Sequence, residues 1–218
     1  MTHIAFLIIS VLSLVLLYFG TGRDKRLLLL FIFWQLIVGT LTVSKVFENN
    51  PNLFPLLILG TIALTFVSLK RIDKQKLNSK ILLTIHTLRI PVELILYQLF
   101  LQQKIPNLMT FKGWNFDIVV GFSALVILIY QLTTKRIFNR QFFIIWNIIG
   151  IVFLFTIVSL AILSSPLPVQ QFAFDQPNIA ILEFPYCFLP TCVVPIVLIS
   201  HILLINGQKK YPSSPKCS

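Results

Sequence analysis

A histidine, an arginine and a glutamate stand inside one apolar stretch, KILLTIHTLRIPVELILYQLFL, residues 80–101. On a helix His86, Arg89, Glu93 and Tyr97 fall at about 0°, 300°, 340° and 20° around the axis, which is one polar stripe. Ionisable groups in hydrocarbon are costly, so such a stripe faces a bundle interior or a wet cavity. Arg89 and Glu93 have the i, i+4 spacing of an ion pair on one helix, which would neutralise both. Alternatively, Arg89 holds an anionic head group or carboxylate, and Glu93 accepts a proton or contacts a ligand. A second histidine, His201, lies in the last apolar stretch. His86 is about 9 Å along a helix from Lys80, and His201 about 12 Å from Lys209, at 1.5 Å per residue. If the two stretches run antiparallel, the histidines reach the same depth. Such a pair could ligate haem iron or share a zinc ion. It could equally handle protons or join two helices by hydrogen bonds.

Three further carboxylates could complete a polar site. Asp117 and Glu183 stand near the outer ends of apolar stretches, and Asp175 lies in the segment between the last two. Glu183 and His201 are eighteen residues apart, so an unbroken helix would put them on one face. Cys187 and Cys192 are five apart, about 140° around a helix, which points to packing rather than a disulfide. Cys217 lies in the polar C-terminal tail.

These residues need an apolar scaffold, and the composition supplies one. Of 218 residues, 56% are hydrophobic and 11% charged, and the mean hydropathy is +0.88. Soluble domains carry about 25% charged residues, so the chain reads as an integral membrane protein. The net charge of +11 does not indicate nucleic-acid binding, because the basic residues sit in short loops between apolar stretches. The expected organisation is a single membrane domain, residues 1–207, and a disordered cytoplasmic tail, residues 208–218.

Seven spans are expected: 3–19, 27–47, 53–69, 80–101, 116–132, 142–163 and 184–205. No basic residue precedes the first, while Arg23, Lys25 and Arg26 follow it. That pattern suits an uncleaved helix with its N-terminus outside rather than a secretory signal. Gln35, Gly39 and Thr42 share one face of the second span, which suits close helix packing. Pro91 predicts a kink in the fourth, and Pro185, Pro190 and Pro195 predict a kinked or partly broken seventh. The connection 164–183 holds no Lys or Arg and is long enough to act as a lid, a re-entrant piece or an outer loop. Fourteen of the eighteen Lys and Arg lie in the loops after spans one, three and five and in the tail; Lys45, Lys104 and Lys112 lie on the other side. The expected fold is therefore all-α, a bundle of seven transmembrane helices with the N-terminus outside and the C-terminus cytoplasmic.

Four stretches, HTLRIPVE (86–93), MTFKGWNFDI (109–118), QQFAFDQPN (170–178) and FPYCFLPTCVVPIVLISH (184–201), carry a resemblance to an uncharacterised group of seven-span bacterial membrane proteins. The resemblance covers spans four to seven. It implies that the four stretches belong to one site and that the chain lies in a bacterial inner membrane, and it implies no activity. Better-known seven-span families match less well. The seventh span has no lysine to hold retinal, as a microbial rhodopsin requires. The two deep histidines also fall short of the three histidines and an acid of hemolysin-III-like and ceramidase-like zinc hydrolases.

Three functions follow as expectations. The first is a polar pocket of His86, Arg89 and Glu93 with spans five and seven that binds, senses or transports a small molecule, ion or lipid, with Tyr97, Asp117, Asp175 and Glu183 as further contacts. The second is a metal-dependent enzyme acting on a lipid or other apolar substrate. The third is a non-catalytic subunit of a membrane complex. Membrane lipid is the expected partner, with no nucleic acid.

Overall fold

The computed structural model describes residues 2–135 and 138–207. The expected tail 208–218, with Lys209 and Cys217, lies outside the described residues, as does Arg136. The described residues are helical, with no strand. In chain order the α-helices are α1 (Thr2–Gly20), α2 (Lys25–Val43), a short α3 (Val46–Asn49), α4 (Phe54–Arg71), α5 (Ser79–Thr87), α6 (Arg89–Leu101), α7 (Asp117–Thr134), α8 (Arg140–Leu163) and α9 (Val194–Gly207). Six helical stretches are long and apolar enough to cross a membrane: Thr2–Gly20, Lys25–Val43, Pro51–Arg71, Asp117–Thr134, Arg140–Leu163 and Leu189–Gly207.

The remaining apolar stretch is broken in two. Pro91 has no N–H to offer the Thr87 carbonyl one turn back, and α5 ends at Thr87. The Leu88 N–H turns back to the Ile85 carbonyl at 3.1 Å, and the Val92 N–H resumes the ladder on the Leu88 carbonyl at 3.1 Å. The last expected span also differs from a plain helix. Residues 184–187 form a turn, a π-helical segment covers Leu189–Val193, and regular helix begins at Val194. Pro195 cannot donate to the Thr191 carbonyl, and the Gln35 amide nitrogen on α2 does so instead at 2.8 Å. The Thr191 hydroxyl returns a bond to the Gln35 side-chain oxygen at 3.1 Å. The face of Gln35, Gly39 and Thr42 thus packs on the bent start of the last helix, where a Cβ at Gly39 would lie 3.2 Å from the Phe188 ring.

The second expected span, 27–47, ends early, while α4 (Phe54–Arg71) covers the third, 53–69. α2 stops at Val43, Lys45 takes a left-handed turn (φ 58°), and a 3₁₀ turn at Pro51–Leu53 leads into α4.

The broken helix is the centre of the bundle. α5 packs on α1, α7 and α9, and α6 on α1 and α7. Leu82, Leu83, Ile85 and His86 are fully buried. α8 and α4 flank α9. Outward faces stay apolar, with Ile8, Phe33, Leu59, Val126 and Ile145 all exposed, as a lipid-facing surface requires. Close approach at the centre depends on small residues: a Cβ at Gly121 of α7 would lie 3.1 Å from the backbone nitrogen of Ile90, at the break.

The connection 164–183 is a strap across the end of α6. Its Ile179 and Ala180 N–H groups donate to the Lys104 carbonyl at 3.1 and 3.2 Å. The Gln176 amide nitrogen donates to the carbonyls of Ile105 and Phe100 at 2.6 and 3.1 Å.

Candidate functional site

The break at Leu88 sets His86 in the last turn of α5 and Arg89 at the start of α6. Both side chains enter the middle of the bundle. Arg89 is the hub. One guanidinium nitrogen donates to the Asp117 carboxylate on α7 at 3.1 Å. The other lies 3.3 Å from the Gly150 carbonyl on α8 and 3.0 Å from His201 Nε2 on α9. Arg89 therefore ties four helices together. It forms no ion pair with Glu93 within 4.0 Å, so the i, i+4 spacing is not used. The partner is the carboxylate of another helix.

The hydrogen bonds around His201 have one consistent direction. Arg89 is always a donor, so Nε2 accepts. Nδ1 then carries the proton and donates to the Asn147 side-chain oxygen at 2.8 Å, while the Asn147 nitrogen donates to the Phe143 carbonyl at 2.7 Å. This assigns a neutral His201 from the network. Space for the imidazole comes from Gly150, where a Cβ would stand 2.7 Å from Nε2.

His86 lies against His201 with ring centroids 3.9 Å apart and planes inclined 33°. Trp146 meets His86 edge-on at 5.5 Å, and its indole N–H donates to Ser123 at 2.9 Å. Neither ring nitrogen of His86 has a hydrogen-bond partner among the described residues. The two histidines meet as tilted rings in contact, and both nitrogens of His201 are engaged. A cation placed at His201 Nε2 would also face the Arg89 guanidinium. Among the described residues no group of three or more His, Cys, Asp or Glu converges as a metal site would need.

Glu93 is held one turn further along α6. The Asn115 side-chain nitrogen lies 2.7 and 2.8 Å from its two carboxylate oxygens and 3.0 Å from the Met109 carbonyl. The Asn115 oxygen accepts from the Asp117 N–H at 3.1 Å. One asparagine thus fixes Glu93 and the start of α7 together.

Beside these carboxylates lies a cavity of about 410 Å³ bounded by α4, α6, α8 and the start of α9. Thr61, Thr65, Leu154, Ile157 and Leu198 are among its walls, and Glu93 and Asp117 are the charged residues that line it. The Thr61 and Thr65 hydroxyls are turned onto their own helix, donating to the Leu57 and Thr61 carbonyls at 2.9 and 2.7 Å. The lining residues Ile62, Phe66 and Phe155 are 59%, 58% and 56% exposed. The cavity is therefore a crevice that opens sideways, between α4 and α8, through the apolar outer surface.

His86, Arg89, Asp117 and His201 come together, with Glu93 joined to them through Asn115. Tyr97, Asp175 and Glu183 do not. Tyr97 turns to Lys112, which bonds its hydroxyl at 2.7 Å and lies 4.7 Å from its ring centre. Asp175 is exposed on the strap. Glu183 pairs with Lys104, and helix does not extend back to it from His201. Asn115, Asn147 and Gly150 are contacts that the titratable residues alone do not reveal. For Asn147 and Gly150 the legible signal is a polar or small residue inside an apolar helix, whereas Asn115 stands in the loop before α7 and gives no such signal.

Residues 52–206 match the model of a family described as a domain of unknown function (DUF8737). That match covers more than half of the chain and all of the site. No curated protein and no solved structure matches the chain. The chain belongs to the DUF8737 family.

Proposed function

We propose that this DUF8737 protein binds an apolar-bodied small molecule or lipid, drawn sideways from the bilayer, in the crevice between α4 and α8. The observation that carries this reading is a crevice with two carboxylates in an otherwise apolar wall, open at the apolar outer surface. Ligand sites are mostly apolar concavities of a few hundred Å³ with a few placed polar groups, and this one has that form. The Arg89–Asp117 pair is the fixed post, since it ties four helices. Glu93 is the carboxylate left without a cation.

In this reading the broken helix 79–101 is a seventh crossing. Broken helices inside bundles are a recurrent means of presenting polar groups at membrane depth. The N-terminus lies outside and the C-terminus in the cytoplasm, with Arg23, Lys70 and Lys135 on the inner side. The membrane is a bacterial inner membrane, crossed several times.

The test is a phospholipid with a photoactivatable acyl chain, reconstituted with the protein and mapped by peptide mass. Adducts are expected at Thr61, Thr65, Leu154 and Ile157, lost when Leu154→Trp fills the crevice. Labelling no denser there than on the outer face of α2, at Phe33 and Leu36, would defeat the reading.

A further inference from the structure

The hydrogen bonding of Glu93 specifies the head group of that ligand. An ionised carboxylate has about four acceptor sites. Here both oxygens share one asparagine nitrogen, whose two hydrogens must also serve the Met109 carbonyl. Glu93 is buried, 2% exposed, yet lines the crevice. One neutral amide nitrogen is its hydrogen-bond complement among the described residues, and no cation among them stands within 4.0 Å. The terminal nitrogens of Arg89 reach Asp117, the Gly150 carbonyl and His201, and its Nε, buried without a partner among the described residues, does not reach Glu93. Among the described residues no Lys or Arg lines the crevice. Two carboxylates therefore share one cation; with both ionised the wall would carry an uncompensated negative charge that low-dielectric surroundings penalise, so Glu93 ionises against a cation that arrives with the ligand.

An anionic head would meet this charge and be repelled. A bare metal ion would find few oxygens besides the carboxylates, since the threonine hydroxyls already donate to their own helix. An alcohol would satisfy the acceptors and leave the charge. An ammonium group satisfies both, with three donors and a positive charge. We propose that the crevice takes a lipophilic primary amine, its apolar body between α4 and α8 and its ammonium group on the Glu93 carboxylate. This rests on the crevice reading above and adds the head group to it.

The test uses two photoactivatable probes with the same twelve-carbon diazirine chain, one ending in a primary amine and one in an alcohol. They are compared at equal mole fraction in nanodiscs of zwitterionic lipid. The amine is expected to occupy the crevice roughly ten- to a hundredfold more tightly, the value of a charge-assisted hydrogen bond. Glu93→Gln is expected to bring it down to the level of the alcohol. Equal labelling of the crevice by both probes in the wild-type protein would overturn the amine and leave the crevice reading standing. Labelling of the crevice by neither would overturn both. A measurement on the wild-type protein covers the case in which Glu93→Gln does not fold. Modification of Glu93 by dicyclohexylcarbodiimide should be slowed by dodecylamine and not by dodecanol, and equal protection by the two, or none, would overturn the proposal.

Discussion

Replacing Arg89 by methionine should be the most damaging single change at the centre of the bundle. The substitution keeps an unbranched apolar side chain and removes the one cation. Asp117, 6% exposed, would be left as an uncompensated buried carboxylate, which costs about 3–5 kcal/mol when an ion pair loses one member. His201 Nε2 would lose its donor, adding about 1 kcal/mol on the scale measured for hydrogen bonds between membrane helices. Asp117→Leu should cost less, because the freed guanidinium has Glu93 four residues away on its own helix. The double variant Arg89→Met/Asp117→Leu removes both charges together. An apolar replacement of a whole buried pair is often neutral or better, so the double variant should be more stable than Arg89→Met alone. The coupling should reach about 2–3 kcal/mol, the upper part of the range for residues in one network. The assay is reversible SDS titration in mixed micelles, followed by circular dichroism on all four proteins. Equal costs for the two single changes, summing to the cost of the double, would refute the account of Arg89 as a hub whose charge Asp117 needs.

Three other changes follow from the same contacts. Among the described residues neither His86 nitrogen is hydrogen-bonded, so His86→Phe should alter stability by less than about 1 kcal/mol, whereas His86→Ala should lose about 2–4 kcal/mol to a cavity; the same unfolding titration separates them, and a large loss in His86→Phe would show that the imidazole has a polar partner. Gly150→Ala places a methyl 2.7 Å from His201 Nε2, so the ring must leave its position between Arg89 and Asn147, at about 1–3 kcal/mol of overpacking, read in the same titration and as a shift in the His201 imidazole NMR signals. Gln35→Leu removes the amide that serves the Thr191 carbonyl and accepts from the Thr191 hydroxyl, and should cost about 1–2 kcal/mol, with faster amide exchange around residues 189–194.

How much of this was legible follows from what each signal measures. Helix rise alone brings His86 and His201 to one depth, and their ring centroids lie 3.9 Å apart. Depth along an axis is a one-dimensional quantity that a residue count supplies. Facing is not. The angular stripe of His86, Arg89, Glu93 and Tyr97 assumes one continuous helix, and the interruption at Leu88 divides His86 from the other three. Within α6 the stripe also does not share one environment. Arg89 and Glu93 are buried, while Tyr97 reaches Lys112 near the surface. Length of apolar run misleads at helix ends for a related reason. Phe184 and Tyr186 are as apolar as a span requires, but hydropathy cannot tell a helical turn from the turn that Pro185 and Pro190 impose.

The choice of partner for Arg89 was the least legible feature, and the reason is geometric. The i, i+4 spacing states only that Arg89 and Glu93 can approach; it cannot weigh that approach against a carboxylate arriving from another helix. Asp117 opens α7, where Asn115 accepts its backbone N–H and holds Glu93 with its amide nitrogen. The asparagine thus keeps the two carboxylates on separate partners, one on a cation and one on a neutral amide. A sequence shows two acids and one base, which suggests a self-neutralising pair with a spare. The folded arrangement instead commits the base to the acid on the neighbouring helix. The acid on its own helix is left without a cation, both its oxygens sharing one neutral asparagine nitrogen, and in the proposed reading it is this missing cation that turns Glu93, rather than the already paired Asp117, toward a ligand.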